Sequence, residues 1–141
     1  MIKKVVYTPG AWDLFHTGHV NLLRRAKRIA EVLIVGVDTD ESIKASKGKY
    51  PVIPFYQRFQ VVWACRWVDM VVNNNNGSVD INQLLDLGIE TIILGDDWKN
   101  KKVVGQDEAV AKGIEFIYIP YTKRVSSTEI KKGIREGRWQ I

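Results

Sequence analysis

The sequence predicts an α/β fold in which a five-stranded parallel sheet carries helices on both faces, and three observations lead to it. Short apolar runs alternate with amphipathic stretches throughout residues 1–141. The run 32–37, Val-Leu-Ile-Val-Gly-Val, is apolar without a break, as in a strand buried on both sides. No repeat, linker or shift in composition divides the chain. We therefore expect a single domain with right-handed crossovers between parallel strands.

Hydrophobic periodicity and turn residues locate each element. Strands are expected at 5–8, 32–37, 68–72, 91–94 and 116–119. Helices are expected at about 19–30, after Thr39, at about 55–67, from Ser78 to Gly88, up to about Gly113, and from Ser126, which has capping-box spacing to Glu129. Parallel sheets bind ligands at the carboxyl ends of their strands, so the site is expected in the loops 9–18, 38–40, 95–102 and 120–127.

Composition narrows the function classes. Of the 141 residues, 45% are hydrophobic, which is typical of a globular protein. The single cysteine, Cys65, excludes an intramolecular disulfide and argues against a thiolate zinc site. No apolar run has the length of a membrane span and the N-terminus does not resemble a signal peptide, so we expect a cytoplasmic protein without membrane insertion. The net charge of +5 is assigned mostly to solvated helix faces, and no nucleic-acid partner is expected.

The two histidines of the chain, His16 and His19, flank Gly18 between the first predicted strand and the first predicted helix. Glycine lets the backbone approach a ligand, and a helix N-terminus presents free N–H groups and a positive dipole. Two imidazoles add donors for phosphoryl oxygens. Zinc is the competing interpretation of a histidine pair, but the sequence offers no obvious third ligand, and no protein-bound metal is predicted. We interpret the segment as a phosphate site.

Residues 8–19, Thr-Pro-Gly-Ala-Trp-Asp-Leu-Phe-His-Thr-Gly-His, resemble the first signature of the HxGH nucleotidyltransferase superfamily, with Trp12 in place of the usual phenylalanine. Further stretches are similar to its cytidylyltransferase branch, above all to glycerol-3-phosphate cytidylyltransferases. They are Lys47-Gly48, Arg58 and Arg66, 65–69 (Cys-Arg-Trp-Val-Asp), 95–98 (Gly-Asp-Asp-Trp) and 125–128 (Val-Ser-Ser-Thr). The resemblance covers nearly the whole chain.

The resemblance implies a Rossmann-like domain that transfers CMP from CTP to a small alcohol phosphate, first of all glycerol 3-phosphate, giving CDP-glycerol and pyrophosphate. It also implies a homodimer and Mg²⁺ that enters with CTP, held chiefly by phosphate oxygens and water. Catalytic roles are expected for His16, His19, Lys47 and Arg66. Nucleotide contacts are expected for Gly10, Ala11, Trp12, Asp13, Gly18, Arg58, Asp97, Ser126, Ser127 and Thr128. Acceptor contacts are expected for Lys44, Tyr121 and Arg124.

Residues 121–124, Tyr-Thr-Lys-Arg, stand where the branch usually has Arg-Thr-Glu-Gly. Tyr121 thus replaces an arginine that binds phosphate, and Arg124 is the alternative source of that charge. The acceptor therefore stays open. The nearest rival is an adenylyl- or cytidylyltransferase for a sugar phosphate or for another alcohol phosphate, such as choline or ethanolamine phosphate. Residues 51–54, Pro-Val-Ile-Pro, resemble heptose-phosphate adenylyltransferases. A non-catalytic nucleotide-binding regulatory module is the alternative of another class.

The helix expected at 55–67 carries a further prediction. Its periodicity places Phe59, Val62, Trp63 and Arg66 along one side, so that Trp63 is a core residue. Arg66 would then be a charge on an apolar face, which requires a partner such as the triphosphate or Asp69. Candidate interface residues are Trp67 and Trp139.

Overall fold

The computed structural model describes residues 4–75 and 80–138. Its strands are β1 (Val5–Gly10), β2 (Val32–Asp38), β3 (Met70–Asn74), β4 (Thr91–Gly95) and β5 (Glu115–Ile119). They form one sheet in the order β3-β2-β1-β4-β5, and every pairing is parallel. This arrangement confirms the predicted five-stranded parallel sheet.

Six helices connect and flank the strands in the part of the chain that the structure describes. They are α1 (Thr17–Ile29), α2 (Asp40–Lys47), α3 (Phe55–Trp63), α4 (Ile81–Asp86), α5 (Gln106–Ala111) and α6 (Ser127–Arg135), with a short 3-10 turn at Asp96–Trp98 after β4. Side-chain caps begin four of them. Ser126 caps α6 as predicted, accepting the Glu129 N–H group. Thr39 caps α2 by accepting the Ser42 N–H group, and His16 and Asp80 cap α1 and α4.

The core has two halves because successive side chains of a strand point to opposite faces of a sheet. On one face, Val6, Leu33 and Val35 pack with residues of α1 and α3 such as Leu23 and Val62. The second half is formed by Tyr7, Ile34, Ile81, Leu84, Ile92 and Ala109, which bring in α4 and α5. The helices thus cover both faces, as the continuous apolar runs of the central strands predicted.

A crevice opens where the strand order reverses. The chain runs outward from β1 through β2 to β3 and then returns to the other side of β1 as β4. β1 pairs with β2 along its full length but with β4 only at Val6 and Tyr7, so the last residues of β1 separate from β4. In open parallel sheets such a switch point is the usual place for a ligand.

Two predictions about local structure were wrong, and two further predictions concern residues outside the described part of the chain. α3 ends at Trp63, and Arg66 lies in an exposed turn rather than on an apolar helix face. The chain must reverse there, because Asp69 donates its backbone N–H to the carbonyl of Leu33 in β2. Trp63 is 58% exposed and is not a core residue. The predicted cap at Ser78 and the interface residue Trp139 fall outside the described residues.

Candidate active site

A cavity of about 1180 Å³ lies at the carboxyl ends of the strands. The loops after β1, β2, β4 and β5 all contribute to it, as predicted. Its basic side chains outnumber its acidic ones, which favours an anionic ligand. The basic residues are Lys47, Lys49, Lys101, Lys123, Arg124, Lys131 and Arg138, and the acidic ones are Asp13, Asp38, Asp97 and Glu129.

His16 and His19 hold each other in place through the first turn of α1. His16 is the N-cap residue, and its Nδ1 accepts the Gly18 N–H at 3.1 Å. His19 reaches back, and its Nδ1 accepts the His16 N–H at 3.2 Å. A Cβ on Gly18 would lie 2.8 Å from Cε1 of His16, so this ring position requires glycine. The histidines therefore use the geometry of a capping box to fix their rings.

This arrangement sets the protonation of both rings. Each Nδ1 accepts a backbone N–H, so the proton of a neutral ring resides on Nε2, which becomes a donor. The rings stack with centroids 3.8 Å apart. Burial, and then repulsion from His16, lowers the pKa of His19 to about 3, and burial lowers the pKa of His16. Both histidines are thus neutral Nε2–H donors that line the cavity.

Asp13 fixes the loop that carries the histidines. Its carboxylate accepts the N–H groups of Val52 at 2.8 Å and Ile53 at 2.9 Å. Its backbone carbonyl accepts the Ser127 hydroxyl at 2.8 Å. Asp13 therefore joins the loop after β1 to the segment before α3 and to the start of α6. These bonds give Asp13 a role in organising the loop.

Arg58 lies behind this loop and is 1% exposed. Its guanidinium donates to the carbonyls of Ile53 at 2.8 Å and Ala11 at 2.6 Å, and to the Asp40 carboxylate at 2.7 Å. A buried charge with three such acceptors is satisfied by the protein itself. The structure therefore places Arg58 away from the main cavity, in a position that supports the loop after β1.

Trp12, the replacement for the family's phenylalanine, is built into the wall of the cavity. Its indole N–H donates to the Gly36 carbonyl at 2.9 Å, and its φ is 57°, a left-handed value that is uncommon for a bulky residue. Its ring meets the His19 ring edge-on at 5.3 Å. Gly10 allows this approach, because a Cβ there would lie 3.0 Å from the indole. Trp12 therefore positions His19 as well as lining the cavity.

Gly95, Asp97 and Tyr121 form the opposite wall. A Cβ on Gly95 would lie 3.0 Å from the Asp97 carboxylate and 3.1 Å from the Tyr121 ring, so the two side chains converge over the glycine. Burial, and then the hydrogen bond and charge of Asp97, raise the pKa of the Tyr121 hydroxyl. At this wall, Tyr121 stands in place of the arginine of the family pattern. A cation is therefore replaced by a phenol that is hydrogen-bonded to the Asp97 carboxylate.

Some of the remaining residues predicted for the site line the cavity, and others do not. Lys47, Arg124, Ser126, Ser127 and Thr128 line the cavity. Lys44, Arg58 and Arg66 do not; the Lys44 ammonium donates to the Gly48 carbonyl at 2.8 Å, and Asp69 pairs with Lys27 rather than with Arg66. Among the described residues, no group of three or more histidine, cysteine or acidic side chains is placed to hold a metal ion.

Sequence reasoning missed Asp38 and Asn74 as cavity residues, although it singled out the loop that Asp38 begins. Asn74 donates to the Asp38 carboxylate at 2.7 Å and accepts the Tyr7 hydroxyl at 2.7 Å. Asp38 is 2% exposed, and burial raises its pKa to about 6. The sequence did show a polar residue at the end of each of these two apolar strands. It did not show that the two residues pair, because their pairing depends on the register of β2 and β3.

The fold, the switch-point cavity and the paired donors are those of a nucleotidyltransferase. Residues 7–133 match the family model described as Cytidylyltransferase-like, and the chain belongs to that family. It is 34% identical over 133 residues to the glycerol-3-phosphate cytidylyltransferase of Bacillus subtilis (strain 168), covering 94% of this chain and 98% of that protein.

Two other relatives are longer proteins. The bifunctional protein HldE of Desulfatibacillum aliphaticivorans is 34% identical over 137 residues, which is 96% of this chain but 28% of HldE. The ethanolamine-phosphate cytidylyltransferase of Dictyostelium discoideum is 36% identical over 130 residues, 89% of this chain and 35% of that protein.

Solved structures support the fold. A lipopolysaccharide core biosynthesis protein from Thermoplasma volcanium superimposes with a TM-score of 0.70 at 23% identity, over 86% of this chain and 98% of that one. None of the described helices is long and apolar enough to cross a membrane.

Proposed function

We propose that this protein transfers CMP from CTP to a small alcohol phosphate, with glycerol 3-phosphate as the first candidate acceptor. The observation that carries the proposal is the pair of neutral histidines whose Nδ1 atoms are occupied by backbone N–H groups, which leaves both Nε2–H groups as donors at the N-terminus of α1. The near-complete overlap with a glycerol-3-phosphate cytidylyltransferase supports the acceptor.

In the reaction, an oxygen of the acceptor phosphate attacks the α-phosphorus of CTP. The new P–O bond forms as the bond from the α-phosphorus to the bridging oxygen of pyrophosphate breaks. An alcohol phosphate is already anionic, so the protein need not remove a proton. His16 and His19 donate to the phosphoryl oxygens as charge grows on them, and the first N–H groups of α1 add a positive dipole.

The other parts of the cavity have roles that fit this chemistry. Lys47 supplies a cation for the triphosphate or the acceptor phosphate, and the start of α6 offers N–H groups beside Ser127 for the terminal phosphates. Mg²⁺ would come with CTP and neutralise part of its charge. The donor set fits an ion held by phosphate oxygens and water, because Asp13 already accepts two backbone N–H groups.

We also propose that the protein is a cytoplasmic homodimer. Tyr56 and Trp63, which are 62% and 58% exposed, lie seven positions apart and share a face of α3. Large exposed aromatic residues on one face are typical of an interface. Sedimentation equilibrium tests the proposal: the protein should have the mass of two chains, and Trp63→Lys should have the mass of one.

A panel of triphosphates and acceptors, read by pyrophosphate release, tests the activity. We expect release with CTP and glycerol 3-phosphate, and little with ATP. ATP-dependent release with a sugar phosphate would favour the alternative transferase, which the resemblance of residues 51–54 suggests. Tight CTP binding without turnover on any acceptor would favour a regulatory module and contradict the proposal.

A further inference from the structure

A buried polar network closes the β2–β3 side of the cavity. Asp38 and Asn74, the last residues of their strands, are register partners. The Tyr7 hydroxyl donates to Asn74 Oδ1, and Asn74 Nδ2 donates to Asp38 Oδ1, both at 2.7 Å. Gly36 makes room for this arrangement, since a Cβ there would overlap the Tyr7 hydroxyl. The bonds run in one direction, from the phenol through the amide to the carboxylate.

That direction leaves one oxygen of Asp38 for a ligand. Tyr7 fixes the orientation of the Asn74 amide, so the amide N–H group engages Oδ1 of Asp38. Among the described residues, no hydrogen bond to Oδ2 is found, and both Asp38 and Asn74 line the same cavity as His16 and His19. A neutral acceptor such as asparagine would satisfy Asn74 equally well, so the fold itself does not require a carboxylate.

We propose that Asp38 is a specificity-determining residue that accepts a hydrogen bond from a hydroxyl group on the carbon chain of the acceptor phosphate. The acceptor class is then a phosphorylated polyol, such as glycerol phosphate or a sugar phosphate, rather than an amino-alcohol phosphate. This inference rests on the proposed transfer reaction and deepens it. It distinguishes acceptors that carry a hydroxyl group far from the phosphate from those that carry an amino group there.

The charges around Asp38 favour a neutral hydroxyl over an ammonium group. Positive charge from Lys47 and Arg58 already acts on this carboxylate. An ammonium group bound at Asp38 would meet those cations, whereas a hydroxyl donates to the carboxylate without repulsion. Tyr50, an aromatic residue of this cavity, already has the Lys44 ammonium 5.6 Å from its ring centroid, so one face of this ring is occupied by a cation.

The test is a comparison of two acceptors in two proteins. Glycerol 3-phosphate has hydroxyl groups on its carbon chain, and n-propyl phosphate has the same chain without them. With glycerol 3-phosphate, Asp38→Asn should lower kcat/KM by about tenfold to a hundredfold, mainly through the acceptor KM, while the KM for CTP stays unchanged. With n-propyl phosphate, the wild type and Asp38→Asn should be equally poor.

Asp107→Asn is the matched control, because Asp107 lies outside the cavity in an exposed pair with Lys102. Circular dichroism and thermal melting establish that both variants fold. Equal loss with both acceptors, an increased KM for CTP, or a wild-type preference for phosphoethanolamine over glycerol 3-phosphate would overturn the inference.

Calorimetric titration separates this inference from the proposed function. If no acceptor supports turnover, the transfer proposal fails, but glycerol 3-phosphate can still be titrated into the protein with CTP bound. Weaker binding to Asp38→Asn than to the wild type, with no such difference for n-propyl phosphate, would support the role of Asp38. Equal binding to both proteins would refute it.

Discussion

His19 accepts the backbone N–H of His16 through Nδ1, and that bond decides what the opposite side of its ring can do. Because Nδ1 is occupied, Nε2 carries the proton and can donate to a ligand. His16 is fixed in the same way by the Gly18 N–H. The hydrogen bonds that begin α1 thus also prepare two donors for the cavity, so helix capping and the proposed phosphate contacts use opposite sides of the same two rings.

Replacing His19 should affect turnover more than binding. His19→Ala removes one preorganised donor, and kcat should fall by about a hundredfold to a thousandfold, while the Kd for CTP changes little. Pyrophosphate release at saturating substrates gives kcat, and equilibrium dialysis gives the Kd. An unchanged kcat would exclude His19 from the catalytic machinery.

His16 allows capping and catalysis to be separated. Asparagine is a good N-cap residue, so His16→Asn should keep the melting temperature near that of the wild type and still lose kcat. His16→Ala removes the cap as well and should cost about 1 kcal/mol of unfolding free energy. Urea denaturation and pyrophosphate release measure the two effects. Equal activity of His16→Asn and the wild type would assign His16 to capping alone.

The lowered histidine pKa values predict a particular titration. Burial keeps His19 neutral until the pH approaches its pKa of about 3. Nitrogen NMR should therefore show both rings as Nε2–H tautomers at neutral pH, with His19 not protonated near its ordinary pKa of 6.5. Below pH 6.5 the unfolded chain binds protons that the folded histidines do not bind. The contribution of these histidines to the unfolding free energy therefore falls as the pH falls. A ring of His19 that is protonated near pH 6.5 would contradict the geometry.

The two arginines that the sequence assigned to phosphate should behave differently. Arg58→Leu leaves the Asp40 carboxylate and two carbonyls without their buried partner, so unfolding free energy should fall by about 3 kcal/mol. Arg66→Ala is the control at an exposed turn and should change stability by about 0.5 kcal/mol or less. Urea denaturation compares them. If Arg66→Ala retains full activity, the predicted catalytic role of Arg66 is wrong.

Apolar periodicity was sufficient to predict the sheet and most helices, because buried parallel strands have continuous apolar runs that few other structures share. The histidine loop was predictable for a similar reason: residues 9–18 are contiguous, so their chemistry can be recognised in one stretch of chain. Loop positions at the carboxyl ends of strands then followed from general rules of parallel sheets.

Contacts between distant residues were not predictable in the same way. Arg66 was assigned to an apolar face because helical spacing was continued four residues beyond Trp63, where tertiary pairing of Asp69 with Leu33 ends the helix. Asp38 and Asn74 meet only through strand register. Arg58 was recognised as important, but a sequence does not show that its partners are backbone carbonyls rather than phosphate.

Tyr121 should contribute to nucleotide binding through Asp97. Its hydroxyl donates to the Asp97 carboxylate, so Tyr121→Phe releases that side chain from its place over Gly95. The KM for CTP should rise by roughly threefold to tenfold with little change in kcat, since a hydrogen bond to a charged group at a half-exposed site contributes modestly. Pyrophosphate-release kinetics measure both values. A loss confined to kcat would instead place the phenol among the groups that act in the transition state.

The buried carboxylate of Asp38 should lower the unfolding free energy of the protein at neutral pH. Burial raises its pKa from 3.8 to about 6, so the folded protein holds a proton that the unfolded chain releases in this pH range. The unfolding free energy contributed by Asp38 therefore falls as the pH rises from 3.8 to about 6 and stays low above it.

Asp38→Asn should accordingly be more stable than the wild type, by on the order of 2 kcal/mol at neutral pH, and the difference should shrink as the medium is acidified. Urea denaturation at several pH values measures this trend. Asp107→Asn is the control for the loss of an exposed carboxylate. If Asp38→Asn is less stable than the wild type at neutral pH, the carboxylate is a structural partner of Asn74 and not a group that the fold maintains at a cost.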